Sequence, residues 1–248
     1  MSTRQFSPLE INQLQKHGFY ADDLSPLGEK PVEYVTGHAD FCDLDFLVTP
    51  ATLIPRLESE KIVELGFEHL SRQKISHPVV ADIGTGSGCL AVSLAAKLLK
   101  NNIPYTIYLS DISTEALAVA EKNASRLLSS TVNLFFEPSN LLENYPQIKF
   151  DLILANLPYI PTANLSALPP SVKDFEPLTA LDGGPQGTSL LQRLIAKLPD
   201  FLSAQGLAIL EFDDTHQLSD FKIPPALSAN LEKDIFGVSR FLCLHYKG

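Results

Sequence analysis

The sequence predicts an α/β fold in which a mostly parallel β-sheet is covered by helices on both faces. From Pro78 to the end of the chain, short apolar runs alternate with segments of helical periodicity. These runs are too uniformly apolar for strands with one face in water, and such strands are typical of a buried parallel sheet. Because ligands of such sheets bind at the carboxyl ends of the strands, we expect the functional site at that edge.

Three features are predicted before the sheet. Residues 1–30 form a polar arm with weak helical periodicity, and residues 32–49 alternate apolar and polar side chains in a pattern that predicts a β-hairpin. A helix is predicted from Glu58 to Leu70. We therefore divide the chain into a short arm with its hairpin, residues 1–55, and one larger domain that carries the sheet, residues 56–248.

The predicted sheet elements follow one another along the larger domain. Strands are expected at Val79–Ile83, Tyr105–Leu109, Val132–Phe136, Phe150–Ala155, Leu207–Phe212 and Arg240–Tyr246. Helices are expected at Cys89–Leu99, Thr114–Leu127 and Thr188–Leu198. A long proline-rich loop separates the fourth of these strands from the last helix.

Composition narrows the class of protein. The net charge is −10, and the 19 Lys and Arg residues are scattered, which argues against a nucleic-acid partner. The first ten residues lack the apolar core of a signal peptide, and no apolar run approaches membrane-spanning length, so we expect a cytoplasmic protein. The three cysteines lie far apart without metal-ligand spacing, and neither a disulfide framework nor a metal site is predicted.

A glycine-rich segment follows the first strand of the sheet. Its sequence is Asp82-Ile83-Gly84-Thr85-Gly86-Ser87-Gly88, and a helical pattern begins directly after it. Glycines allow sharp turns and let a ligand approach the backbone, so the segment predicts a nucleotide-type site. Its Gly-x-Gly-x-Gly spacing differs from the Gly-x-Gly-x-x-Gly of dinucleotide-binding proteins. The alternative is a tight turn with a structural role only.

Polar residues also follow the next two strands. Asp111 can accept hydrogen bonds from both hydroxyls of an adenosine ribose, or Asp111 and Ser113 can cap the following helix. Farther along, Asn140 can contact an adenine amino group and Leu141 can pack on its ring. The alternative for these two residues is a loop without a role in binding.

The segment Asn156-Leu157-Pro158-Tyr159 follows the fourth strand. The side-chain oxygen of Asn156 and the backbone carbonyl of Leu157 can accept from the two N–H groups of a planar amide or amino group. Pro158 favours an extended conformation of Leu157, and the ring of Tyr159 offers a flat wall for a planar group. The alternative is an ordinary turn.

Taken together, the two motifs resemble the class I methyltransferases, and specifically the HemK-like release factor glutamine methyltransferases. The further similar segments are Leu53–Glu60, Leu168–Pro177, Ala180–Gly184 and Lys233–Arg240. The resemblance implies a Rossmann-like fold with a mostly parallel seven-stranded sheet, preceded here by the short arm and β-hairpin. It also implies that residues 56–248 are the catalytic domain, with S-adenosyl-L-methionine as cofactor.

The same resemblance implies roles for individual residues. The cofactor-binding residues would be Asp82, Gly84, Thr85, Gly86, Ser87, Gly88, Asp111, Asn140, Leu141 and Asn156. The residues that hold the substrate glutamine for catalysis would be Asn156, Leu157, Pro158 and Tyr159. Arg56 and Glu58 would line the same pocket, or would instead be residues at the start of the following helix.

The sequence departs from the family pattern at three places. Leu157 stands where the family usually has proline, a form similar also to rRNA adenine dimethyltransferases, and Asn140 stands where aspartate is usual. Only about thirty residues precede the predicted hairpin, where the family has a helical domain that docks the release factor. These roughly thirty residues are too few for a helical bundle of their own.

The expected activity is methylation of a protein glutamine, that of the Gly-Gly-Gln loop of peptide chain release factors. A glutamine of a ribosomal protein is one alternative. A second is the exocyclic amino group of an adenine in rRNA or DNA, which needs the same two acceptors. A third is a non-catalytic cofactor-binding protein. We expect a monomer that acts on release factors, without a nucleic-acid or membrane partner.

Overall fold

The computed structural model describes residues 4–20, 28–129, 133–145 and 148–247. Its helices are α1 (Pro8–Lys16), α2 (Val32–Thr36), α3 (Glu60–Gln73), α4 (Cys89–Lys100), α5 (Thr114–Leu127), α6 (Pro170–Lys173) and α7 (Ser189–Phe201). Its strands are β1 (His38–Phe41), β2 (Leu44–Leu47), β3 (Val79–Ile83), β4 (Thr106–Asp111), β5 (Leu134–Pro138), β6 (Phe150–Ala155), β7 (Leu202–Glu211), β8 (Leu227–Lys233) and β9 (Ser239–Tyr246).

The main sheet confirms the predicted architecture. Among the described residues it has seven strands in the order β5-β4-β3-β6-β7-β9-β8. The first five of these run parallel, and β9 pairs antiparallel with both β7 and β8. The chain leaves β3 toward β4 on one side and returns to β6 on the other. A crevice opens where the strand order reverses, at the carboxyl ends of β3, β4 and β6.

Most predicted elements are confirmed. The strands Val79–Ile83 and Phe150–Ala155 and the helix Thr114–Leu127 have the predicted bounds. Most other boundaries shift by one to three residues, and β7 begins five residues before the predicted Leu207. The first residue of the predicted third strand, Val132, lies outside the described residues. The sequence did not predict β8, because it is a half-exposed edge strand of largely polar residues.

The β-hairpin predicted for residues 32–49 is confirmed at β1 and β2 but is wrong for residues 32–36. Strands β1 and β2 pair antiparallel, from His38 opposite Leu47 to the turn. Residues 32–36 form α2 instead of a strand. Their alternating pattern arises because Val32 and Tyr34 are buried, and the Tyr34 hydroxyl donates to the Thr52 carbonyl at 2.6 Å. Of the predicted arm, residues 1–3 and 21–27 lie outside the described part of the chain.

Helices cover both faces of the sheet, as the apolar strands predicted. Along β3, Val80 packs into one hydrophobic cluster, whereas Ala81 and Ile83 belong to the cluster on the opposite face. This alternation follows from the two-residue repeat of a strand. The hairpin contributes Phe41 and Phe46, both fully buried, to the first cluster. In the described residues no helix is both long enough and apolar enough to cross a membrane.

One buried side chain joins the hairpin to the sheet domain. Asn123 of α5 accepts from the Leu47 N–H at 2.7 Å and donates to the Leu47 carbonyl at 2.9 Å. It also donates to the carbonyl of Ser87, in the glycine-rich segment, at 2.9 Å. A fully buried amide with this many partners fixes three segments relative to one another.

We therefore expect Asn123→Ala to lower the free energy of unfolding by about 2–3 kcal/mol, because it leaves buried backbone groups without partners. The measurement is equilibrium unfolding in urea. Asn101→Ala is the matched control, since Asn101 makes one exposed hydrogen bond to the Lys97 carbonyl. That control should change the free energy by no more than about 0.5 kcal/mol. Equal effects of the two substitutions would contradict the proposed structural role of Asn123.

Candidate active site

The main cavity of the described structure lies at the crevice between the carboxyl ends of the central strands. It has a volume of about 410 Å³. Its wall includes Gly84 and Gly86 after β3, Asp111 at the end of β4 and Asn156 after β6. These are residues that the sequence placed in the site, and the fold brings them together because parallel strands end at the same edge.

The glycine-rich segment is held against the end of β4. The N–H groups of Gly84 and Thr85 both donate to the Ser110 carbonyl, at 2.8 and 2.9 Å. Gly86 has a φ of 56°, a conformation that residues with a side chain rarely adopt. A Cβ atom at Gly86 would meet no atom within 4 Å, since the residue borders the cavity. Glycine here leaves open space for a ligand.

Beneath this segment, Asp82 supports the loop. Its fully buried carboxylate accepts from the Thr85 hydroxyl at 2.6 Å and from the Ala91 N–H of α4 at 3.2 Å. Burial raises the pKa of Asp82 to about 7. Neither Asp82 nor Gly88 lines the main cavity. Gly88 instead packs against α5, since a Cβ atom at this residue would lie 3.0 Å from the Ala120 side chain. Direct contact of these two residues with a cofactor stays a prediction.

Thr85 and Ser87 border a recess beside the main cavity. This recess has a volume of about 40 Å³ and is lined also by Gly84, Gly86 and Asn156. It therefore adjoins both the glycine-rich segment and the Asn156 loop. The structure places Thr85 and Ser87 near the predicted cofactor position without placing them on the wall of the main cavity.

Asp111 serves the loop and can also serve a ligand. Its two carboxylate oxygens accept from the N–H groups of Gly86 and Ser113, each at 2.9 Å. The cap of α5 is Ser113, whose hydroxyl accepts from the Ala116 N–H at 3.1 Å. Each Asp111 oxygen retains acceptor capacity toward the cavity. Burial raises the pKa of Asp111, because it destabilises the ionised carboxylate. A hydrogen bond from a ligand hydroxyl would stabilise that ionised form.

Asn140 and Leu141 form another part of the cavity wall. Leu141 is buried with a φ of 58°, a conformation that costs a bulky residue roughly 1–3 kcal/mol. Its carbonyl accepts from the Ser139 hydroxyl at 3.0 Å. Asn140 donates to Glu143 at 3.2 Å and accepts from Arg193 at 3.3 Å, so neighbouring residues hold its amide in place. Backbone strain beside a cavity is typical of a binding surface.

Asn156 stands between the main cavity and two smaller recesses. Its Nδ2 donates to the Ser59 hydroxyl at 3.0 Å. Within the described part of the chain, its Oδ1 has no hydrogen-bond partner and is available as an acceptor. Next to it, Leu157 is buried with its side chain over Gly84, and Pro158 lines the main cavity.

A recess of about 170 Å³ adjoins Asn156, and its wall includes Arg56 and Tyr159. The Tyr159 hydroxyl donates to Glu211 at 3.2 Å, and burial raises the pKa of Tyr159, so this hydroxyl keeps its proton at neutral pH. Arg56 donates to Glu176 at 2.5 Å. Burial disfavours the charge of Arg56, but the attraction of Glu176 outweighs it and the pKa of Arg56 rises.

Arg56 and Glu58 differ in their surroundings, and their roles in substrate binding stay predictions. Arg56 lines the recess, whereas Glu58 lies in the single 3₁₀ turn Leu57–Ser59 that leads into α3 and lines none of the three cavities. Sequence reasoning missed Ser59 and Glu211. A signal for Glu211 was present, since it is a lone acid that directly follows the apolar run Leu207–Leu210 at the carboxyl end of β7.

Comparison with known proteins identifies the family of the chain. The family described as Methyltransferase small domain matches residues 62–167. The release factor glutamine methyltransferase of Geobacter sulfurreducens is 42% identical over 182 residues, which cover 73% of this chain and 60% of that relative. The corresponding protein of Moorella thermoacetica is 43% identical over 182 residues, 73% of this chain and 61% of that relative. The chain thus spans about three-fifths of the length of these two relatives.

Other similarities extend over more of the chain. The release factor glutamine methyltransferase of Leptospira interrogans is 34% identical over 241 residues, which cover 94% of this chain and 81% of that protein. A ribosomal protein L11 methylase from Lactobacillus delbrueckii subsp. bulgaricus has a TM-score of 0.52 at 24% identity, covering 78% of this chain and 81% of its own. A methyltransferase from Pyrococcus furiosus has a TM-score of 0.56 at 20% identity, covering 83% and 89%.

The two solved structures show the Rossmann-like class I methyltransferase fold, in agreement with the seven-stranded sheet. The sequence relatives show more than the fold, because their identity exceeds 30% over most of this chain. On this basis, the chain belongs to the release factor glutamine methyltransferase family.

Proposed function

We propose that this chain transfers a methyl group from S-adenosylmethionine to the side-chain amide nitrogen of a protein glutamine, that of the Gly-Gly-Gln loop of peptide chain release factors. The observation that carries the proposal is the Asn156 amide, whose Oδ1 is an available acceptor at the junction of the cavities. The relatives named as release factor glutamine methyltransferases support this substrate.

S-adenosylmethionine is the cofactor of this family, and the residues of the main cavity fit it. Asp111 would accept from the ribose hydroxyls, the backbone at Gly84 and Gly86 would lie along the methionine part, and Asn140 and Leu141 would border the adenine. When bound, the cofactor supplies a methyl group on a positively charged sulfur. The fixed orientation of Asp111 by two backbone N–H groups lowers the cost of binding.

The protein's part in the reaction is positioning. An amide nitrogen is a weak nucleophile, because its lone pair is delocalised into the carbonyl group. The Asn156 Oδ1 and the Leu157 carbonyl would accept from its two N–H groups and hold the lone pair toward the methyl group. Tyr159 and Arg56 would form the wall of the recess that receives the glutamine side chain. Such alignment supplies much of the rate enhancement when no strong base is involved.

Mass spectrometry tests the substrate assignment directly. The chain is incubated with S-adenosylmethionine and, in separate reactions, with a release factor domain, ribosomal proteins or an adenine-containing RNA. We expect one added methyl group on the glutamine of the Gly-Gly-Gln loop. Methylation of the RNA but not of the protein would overturn the proposal in favour of an adenine amino methyltransferase. Methylation of a ribosomal protein alone would move the target to that glutamine.

Replacing Gly86 by leucine should abolish cofactor binding. The new side chain would extend into the cavity, at a residue whose φ of 56° already disfavours any Cβ atom. Calorimetry with S-adenosylhomocysteine measures the loss. Gly18→Leu is the matched control, since Gly18 also has a positive φ, 85°, and open space around it but lies in the N-terminal arm. Unchanged affinity in Gly86→Leu would place the cofactor elsewhere.

Removal of the Asp111 carboxylate should weaken binding of S-adenosylhomocysteine by roughly 1.5–3 kcal/mol, the range for hydrogen bonds to a charged group. Asp151→Ala serves as control. Asp151 also accepts from a backbone N–H, that of Val79, and from the Ser203 hydroxyl, but it lies at the amino end of β6. If both variants bind equally well and remain folded, Asp111 has only a structural role at the start of α5.

Asn156→Ala should reduce the single-turnover rate of methyl transfer by on the order of a hundredfold, because the target nitrogen loses an oriented acceptor. Asn156→Asp should bind cofactor and also turn over poorly, because it places a carboxylate beside the transferred methyl group. Leu157→Pro should be tolerated, since only the carbonyl of this residue is required. Cofactor affinity is measured separately and should change little. Transfer by Asn156→Ala at a near-normal rate would exclude the proposed role of its amide.

A further inference from the structure

One buried carboxyl group, that of Glu211, extends the site beyond the residues that line the three cavities. The Asn156 Nδ2 donates to the Ser59 hydroxyl at 3.0 Å, and that hydroxyl donates to Glu211 Oε2 at 2.6 Å. The Tyr159 hydroxyl donates to the other oxygen, Glu211 Oε1, at 3.2 Å. Ser59 is 2% exposed and Glu211 is fully buried. A single carboxylate at the end of β7 therefore connects, directly or through Ser59, to both polar side chains of the Asn156–Tyr159 motif.

The direction of these hydrogen bonds follows from the charge of Glu211. An ionised carboxylate only accepts, so Ser59 must give its single proton to Glu211. The Ser59 oxygen can then only accept from Asn156, which must present its Nδ2. The opposite amide orientation would place Asn156 Oδ1 against the Ser59 oxygen, two acceptors without a proton between them. With Glu211 ionised, Oδ1 is therefore directed away from Ser59.

Protonation of Glu211 removes this constraint. A neutral carboxyl group can donate to Ser59, which can then donate to Asn156 Oδ1. The amide would then turn its Nδ2 toward the substrate position, where the glutamine N–H groups need an acceptor. The ionisation state of a residue that touches no substrate thus decides which atom of Asn156 the substrate meets.

We propose that Glu211 is a positioning residue that acts through Ser59 to hold the Asn156 amide in the orientation required for methyl transfer. The inference rests on the proposed function, because it concerns how the acceptor of that reaction is oriented. In this role Glu211 is required because its carboxylate sets the direction of the hydrogen bonds through Ser59. In a purely structural role, any side chain of the same volume would serve.

The surroundings of Glu211 place its ionisation near neutral pH. Burial raises the pKa of Glu211 to about 7, although the hydrogen bonds from Ser59 and Tyr159 act in the opposite direction. Glu58, which precedes Ser59, raises it further, and Arg240 of β9 lowers it. Arg240 is itself paired with Asp234 at 2.9 Å and Asp214 at 3.5 Å. Glu211 is ionised above this pH, so the transfer rate should rise as pH increases through about 7.

Kinetics of four variants test the relay. Single-turnover transfer to a release factor domain is measured against pH for Ser59→Ala, Ser59→Thr, Glu211→Gln and the double variant Ser59→Ala/Glu211→Gln. We expect each of Ser59→Ala and Glu211→Gln to lose on the order of tenfold in rate through misorientation. The double variant should be no slower than the slower single variant, because the residues act in one chain. Glu211→Gln should lose the rise near pH 7, and Ser59→Thr, which keeps the hydroxyl, should retain most of the rate.

Two control variants separate orientation from general damage. Ser93→Ala removes another buried serine hydroxyl, in α4, and Glu232→Gln removes another carboxylate of the same sheet, in β8. Both should transfer methyl groups at the wild-type rate with the wild-type pH profile. Thermal stability and affinity for S-adenosylhomocysteine are measured for all variants. Ser59→Ala and Glu211→Gln should match the wild type in cofactor affinity.

A measurement without substrate completes the test. The side-chain NH₂ resonances of Asn156, observed by NMR on asparagine-labelled protein, should shift with pH through about 7 in the wild type and should not in Glu211→Gln. Absence of that shift in the wild type would overturn the inference. So would unchanged rates and pH profiles in Ser59→Ala and Glu211→Gln, or rate losses that multiply in the double variant. If the shift is present but the wild type methylates no release factor, the relay is supported and the proposed function fails.

Discussion

The site depends on the hydrogen bonds that tie the glycine-rich segment to the end of β4. The Ser110 carbonyl accepts from Gly84 and Thr85, and the Asp111 side chain accepts from Gly86. These contacts join the loops that follow the adjacent parallel strands β3 and β4. Both loops lie at the carboxyl ends of the strands, beside the crevice where the strand order reverses. Without them the loop would lack the fixed shape that leaves the cavity open.

Features encoded by neighbouring residues could be predicted from the sequence. The parallel sheet, the glycine-rich segment, Asp111 and the Asn156–Tyr159 motif each depend on a local pattern, and the structure places them at one edge of the sheet. The relay through Ser59 could not be predicted in this way. Its hydrogen bonds join residues 97 and 152 positions apart, and only the fold determines that they meet. Residues 32–36 were misassigned for a related reason, since burial of alternate side chains does not distinguish a strand from a short helix.

Two acidic side chains near the site are buried, although removing a carboxyl group from water is unfavourable. Asp82 at the end of β3 and Glu211 at the end of β7 are both fully buried, and burial raises each pKa to about 7. Apolar residues of similar size would avoid this desolvation. Each acid, however, fixes a loop that borders the cavity, Asp82 through Thr85 and Glu211 through Ser59. Both acids thus hold segments that border the cavities, at the cost of burying a carboxyl group.

The departure from the family pattern at Leu157 fits the same principle. The proposed chemistry requires only the carbonyl of this residue, which leucine and proline both have. The leucine side chain is 5% exposed, and it fills the space above Gly84, where a Cβ atom would lie 2.8 Å from its Cδ2. Leu157 thereby packs the Asn156–Tyr159 motif against the glycine-rich segment. A change at either segment is therefore transmitted to the other by direct contact. In the proposed reaction, this packing would set the distance between the glutamine and the methyl donor together with the hydrogen bonds.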